Sequence, residues 1–137
     1  MRARTAVMAL AAALTAAEAN GGPDRDYMLQ CQGCHRADGS GFGASVPDLR
    51  GSVGLFLEVP GGREFLVQVP GSAQAPLGDA ELAAVLNWMI ARFGPERVAA
   101  SFEPYTGAEV SLLRRPLLDV AGARAKLVER IAEEQGR

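Results

Sequence analysis

The sequence predicts a mainly α protein, and three observations carry that reading. Leu82, Val85, Leu86, Met89, Ile90 and Phe93 recur at helical spacing, and Thr106-Gly107-Ala108-Glu109 has the form of a capping box ahead of Val110, Leu112 and Leu113. No alternating apolar and polar run of strand length recurs. With 137 residues, 48% of them hydrophobic and 22% charged, the chain suits one small domain and not a large multidomain enzyme. The net charge is −2, and Lys126 is the single lysine beside 13 arginines that form no basic stripe. Nucleic acid is therefore not an expected partner.

At the start of the chain, Arg2 and Arg4 precede thirteen uncharged residues at 5–17, and Ala17-Glu18-Ala19 has the small-x-small form that signal peptidase reads. The run is shorter than the ~20 residues that cross a bilayer. Residues 1–19 are therefore read as a cleaved signal peptide, with no permanent membrane anchor and a periplasmic destination. Past them, a short helix is expected over 24–29, with Asp24 or Asp26 at its positive end. Residues 36–54 hold five glycines and one proline, a loop composition that must wrap something to stay ordered. An internal echo follows, in which Val59-Pro60-Gly61 and Val69-Pro70-Gly71 each mark a turn. Asp79 is the expected N-cap of the 82–93 helix, which Gly94-Pro95 stops. Further on, Thr106 caps the Glu109 amide and Glu109 is expected to reach back, with Pro116 ending or kinking that helix. Asp119 then starts a last helix whose apolar stripe is Val120, Leu127, Val128 and Ile131.

The two cysteines and the one histidine of the whole chain stand together as Cys31-Gln32-Gly33-Cys34-His35. In an exported protein this CxxCH reads as a haem attachment site, each thiol adding to a porphyrin vinyl group while the adjacent imidazole binds iron. On a helical turn, three residues bring both sulfurs to one side. The rival readings fall short. A structural zinc site needs four protein ligands and only three candidates exist. A thioredoxin-like pair would sit on a βαβ pattern, which is missing. A disulfide between Cys31 and Cys34 would close a very short loop and stabilise little.

That motif, followed by Asp38-Gly39 and Val46-Pro47-Asp48-Leu49, resembles the class I monohaem cytochromes c. The resemblance spans about residues 24–94, with 77–93 similar to the family's last core helix. It implies a core of short helices and loops around one covalent haem c, held by thioether bonds from Cys31 and Cys34, with His35 on the iron and the Pro47 carbonyl on the ring's other nitrogen. Pro47 as a simple turn residue is the rival reading. The domains are then a signal peptide at 1–19, a cytochrome c domain at 20–94 and a C-terminal helical extension at 95–137. Leu49, Leu55, Phe56, Phe65, Leu66 and Val69 are candidate haem contacts, and Leu82, Val85, Trp88 and Phe93 ordinary packing. Arg36, Arg50 and Arg63 are candidate propionate partners, although an arginine in solvent is the plainer reading. Gly33, Gly39, Gly41 and Gly43 would let backbone approach the ring.

One departure bears on function. The family's usual sixth ligand is a methionine in the loop before the last core helix, and residues 59–78 contain no Met, His, Cys or Lys. Met89 is one candidate for that ligand. The other is a position left open or filled by a weak donor such as Tyr105, Gln74 or Ser72. Thioether ligation raises the iron potential, whereas an open site lowers it and admits small molecules. The expected function is a periplasmic one-electron carrier, not an enzyme, relaying electrons between a dehydrogenase and another cytochrome or oxidase. The alternatives are a haem protein whose open sixth site binds small ligands or peroxide, and a cytochrome subunit of an oxidoreductase complex. Peroxide cleavage is disfavoured by the lack of a distal His or Lys. Residues 95–137 are expected to wrap the core or to dock a partner through Leu112, Leu113, Leu117 and Leu118.

Overall fold

The fifteen-residue helix Asp79–Phe93 organises the molecule, and its sequence-predicted stripe of Leu82, Val85, Leu86, Met89, Ile90 and Phe93 is buried throughout. The structure, a computed structural model, describes residues 21–43 and 45–137. The signal-peptide reading of residues 1–19 lies outside the described residues. In chain order the elements are α1 (Pro23–Gln30), α2 (Gln32–His35), a 3₁₀ helix (Val53–Glu58), α3 (Gly62–Gln68), α4 (Pro70–Ala73), α5 (Asp79–Phe93), α6 (Glu96–Ala99), α7 (Gly107–Leu113) and α8 (Val120–Gln135). No strand occurs among the described residues. Phe42 and Val46 form one isolated antiparallel bridge.

Helix α1 starts at Pro23, where a missing amide proton costs nothing, and carries Asp24 and Asp26 in its first turn. It packs against the end of α5 through Tyr27, whose ring lies 5.1 Å from Trp88 and 5.4 Å from Phe93. These tilted aromatic contacts add about 1 kcal/mol each beyond the area they bury. The loop from residue 36 is anchored on the same helix. Gly39 has φ +79° with Phe93 directly over it, and the Gly51 amide donates to the Phe93 carbonyl at 2.7 Å.

The second half of the chain closes the core from the other side. Helix α7 packs against α5, while α8 touches the 3₁₀ helix and α3. Tyr105, Val110, Leu127 and Ile131 join the same continuous core as Tyr27 and Ile90. The repeated Val-Pro-Gly does not give two like turns. At the first copy Gly61 takes φ +85° and the chain reverses into α3, whereas Pro70 becomes the first residue of α4.

Three cap and stripe expectations change. Gly78, not Asp79, caps α5, because residue 78 has the extended backbone a cap requires and its amide donates to the Glu81 carboxylate at 2.7 Å. Thr106 accepts from the Glu109 amide at 3.1 Å as expected, but the Glu109 carboxylate turns away to Arg63, a stronger charge-assisted partner than a lone backbone amide. Asp119 does cap α8, accepting from the Gly122 amide at 2.8 Å. Val128 leaves its stripe: it is 40% exposed, a quarter turn off the Leu127–Ile131 line that meets the core.

Candidate functional site

The attachment motif falls on a bend between two helical segments. Cys31 closes α1, its amide donating to the Tyr27 carbonyl at 2.9 Å, and α2 carries Gln32 to His35. The chain then leaves through Arg36, a non-glycine residue at φ 54°. The Tyr27 hydroxyl donates to the Arg36 carbonyl at 2.7 Å, which stitches this exit back onto α1. Both cysteines are free thiols, Cys31 half-buried and Cys34 exposed. Burial, with Asp26 and Cys34 adding to it, pushes the Cys31 thiol up to about 11.

His35 is held by a contact that crosses twelve residues. Its Nδ1 lies 3.1 Å from the Pro47 carbonyl oxygen, and since a carbonyl only accepts, Nδ1 carries the proton. Nε2 is thereby left as the bare donor. Burial lowers the imidazole pKa, with the Pro47 bond opposing it, so the neutral ligating form is favoured. Pro47 has no amide proton of its own, and its carbonyl is oriented by the neighbouring turn, where Asp48 accepts from the Arg50 amide at 2.9 Å and from its guanidinium at 2.5 Å. These exposed bonds hold the Asp48 carboxyl down to about 2.

The donor set fits a covalent haem: two thiols three residues apart for the ring, and one oriented imidazole for the iron. It does not fit a metal ion held by protein alone, since no group of three or more His, Cys, Asp or Glu side chains converges among the described residues.

Other expected contacts are reassigned. Arg63 is not free for a propionate: its guanidinium is bidentate to Glu109, with Nη2 to Oε2 at 2.8 Å, donates to the Glu103 carbonyl at 2.7 Å and stacks 4.0 Å over the Tyr105 ring. Arg50 is committed to Asp48 and Asp38. Arg36 makes no ion pair among the described residues and lies 5.5 Å over the Phe42 ring. Gly39 and Gly41 serve protein packing, because a Cβ would strike Phe93 in one case and the Val46 carbonyl in the other. Met28 is 52% exposed on α1, and Met89 is 8% exposed on α5, beside Trp88 and one turn before Phe93. Phe56, Phe65 and Leu66 are core residues, with Leu55 and Val69 packed partly against them.

Arg114 was not singled out by the sequence, yet it is the most connected polar side chain of the extension. It donates to the carbonyls of Ala73, Ala75 and Leu77 at 3.1, 2.5 and 2.7 Å and pairs with Asp79 at 3.0 Å. The segment ahead of α5 is therefore tied to the C-terminal helices. No local signal marks this role, since an arginine after α7 reads as surface until the facing carbonyls are known.

A thiol pair and an oriented imidazole on one short helical segment, inside an all-helical fold of this size, define a covalent haem protein. No family model matches the chain. It is 35% identical to "Cytochrome c-552" of Thermus thermophilus over a 119-residue alignment, which takes in 72% of this chain and 91% of the relative. A second relative of that name, from a named strain of the same species, matches equally over 80% of its length. The chain belongs to the c-type cytochromes. Because 72% of 137 residues is about 99, some 20 residues of the first relative face none in this chain. The protein is accordingly an electron-transfer protein with one haem c, covalently bound through its two cysteines, that works with redox partners and is not an enzyme. No described helix is long and apolar enough to cross a membrane.

Proposed function

We propose that the protein is a periplasmic one-electron carrier between a dehydrogenase and another cytochrome or oxidase. In this reading Cys31 and Cys34 hold the haem by thioether bonds and His35 ligates the iron from the proximal side. When bound, the haem supplies the one-electron couple. Everything else is done by the chain: the two sulfurs prevent loss of the cofactor, and the Pro47 carbonyl fixes the tautomer and plane of His35. That bond also makes the ligand more basic. Residues 95–137 thicken a core too small to be stable with so few aromatics.

The observation that carries this reading is the His35–Pro47 bond, which presents Nε2 as a donor beside two free thiols. The export assignment rests on the leader pattern of residues 1–19. Both are tested on protein expressed from the full chain in a bacterium with haem-maturation machinery. A pyridine haemochrome spectrum should report one haem with two thioether links, and the N-terminus of the periplasmic product should be Asn20. A colourless product sinks the site, while coloured protein that keeps residues 1–19 and stays with the membrane sinks the export assignment. Rapid electron exchange with a cytochrome or dehydrogenase, with no substrate consumed, is the expected activity.

A further inference from the structure

We infer that the haem iron's sixth position has no strong donor among the described residues and is a binding site for small exogenous ligands: a neutral diatomic on the reduced protein, an anion or imidazole on the oxidised one. This rests on the reading of His35 as the proximal ligand. A sixth ligand must be a side chain with a usable lone pair that reaches the face opposite His35, and the possible donors can be taken one by one.

His35 is the one histidine, and both cysteines are spent on the ring. Lys126 is exposed on α8, next to Arg130 and across from Pro60 and Phe65, on the extension's side of the core. Met28 rides α1, the segment that runs straight into the attachment motif, and its side chain is half in solvent. Met89 is 8% exposed and belongs to the continuous core with Tyr27, Leu86, Ile90 and Phe93. Its thioether is thus part of the packed interior of α5, the ordinary place of a methionine on a helix's apolar stripe.

The phenols are committed as donors. Tyr27 gives its proton to the Arg36 carbonyl at 2.7 Å and Tyr105 to the Arg63 carbonyl at 2.8 Å. To ligate iron well a phenol must ionise, and neither can do so without giving up the bond it donates to a backbone carbonyl. Burial raises both pKa values accordingly. The segment ahead of α5 offers Ser72 and Gln74 alone, neutral groups that a better ligand displaces. It is also tied to the C-terminal helices, because the carbonyls of Ala73, Ala75 and Leu77 all accept from Arg114. No lysine, histidine or methionine lies within that pinned stretch to swing inward.

Ligand addition here is a simple lone-pair donation to iron, with at most a weakly held solvent molecule displaced. The test uses the full holoprotein. Carbon monoxide added to the reduced form should shift its Soret band at once, at a rate proportional to gas concentration. Cyanide or imidazole should do so with the oxidised form. The oxidised spectrum should lack the thioether charge-transfer band, and Met89→Leu, which conserves volume, should leave spectrum and rate unchanged. A haem protein inert to carbon monoxide, whose thioether band disappears in Met89→Leu, overturns the inference and assigns the ligand to Met89. Inertness relieved by Tyr105→Phe overturns it in favour of that phenol. Either result leaves the haem reading standing, whereas a preparation with no covalent haem removes the reading on which the inference rests.

Discussion

The attachment segment and the C-terminal extension hold themselves in place by opposite means. Helices α1 and α2 bury one side chain between them, Tyr27, and depend on a few placed bonds: Tyr27 to Arg36, His35 to Pro47. The extension buries Tyr105, Val110, Leu127 and Ile131 and adds two many-armed arginine contacts, Arg63 reaching into it and Arg114 reaching out. The attachment helices thus contribute few side chains to the core, while the C-terminal helices supply several. Stability has to come from elsewhere in so small a protein.

Removing the covalent link should separate the two regions most sharply. The Cys31→Ala/Cys34→Ala double variant should lose all haem to acidified organic solvent, while the parent retains it. Retention by the variant would mean that noncovalent packing suffices. Next in size, Arg114→Ala strips the Ala73, Ala75 and Leu77 carbonyls of a charged donor and should cost about 3 kcal/mol of unfolding free energy in denaturant. A change below about 0.5 kcal/mol, the range of ordinary surface substitutions, would show that the extension does not pin this segment.

A smaller effect separates the regions by pH. The Arg63 guanidinium holds the Glu109 carboxyl below its usual 4.5. Because the folded value is depressed, the contribution is complete above pH 4.5 and is lost as pH falls through the lower folded value. Acid should therefore weaken the extension, and Glu109→Gln should flatten that part of the stability curve. Equal acid slopes for parent and variant would contradict the pairing. The smallest effect is expected at Leu118, fully exposed at 104%: Leu118→Ser should shift the melting free energy by less than about 0.5 kcal/mol. If the same change slows electron exchange with a partner, the extension docks as well as packs.

Much of this was legible without coordinates. Every residue of the predicted α5 stripe is buried, with Ala83 the one addition, because a helix that meets a core along its whole length must keep its period. The caps of α7 and α8 were readable because Thr106 and Asp119 act on amides three residues away. Side-chain destinations over longer separations were not. Asp79 looked like a cap, but the helix starts one residue earlier, with Gly78 in the cap conformation. Glu109 looked like half of a capping box and Arg63 looked available to a propionate, and both errors have one cause: a local rule names a possible partner, and a charge from 46 residues away offers a better one.

By itself the sequence pointed to the chemistry, since two thiols and an imidazole in CxxCH spacing on a helical segment read as a haem attachment site. It also determined which helix forms the floor of the core. The family resemblance pointed to the Pro47 carbonyl as the partner of His35, and the 3.1 Å contact agrees. Tertiary structure alone decided that Arg114 ties down the segment before α5 and that Arg63 is taken by Glu109. The physical reason is range. Spacing rules reach one or two helical turns, while the direction of a lone pair or guanidinium depends on which distant backbone the fold brings against it.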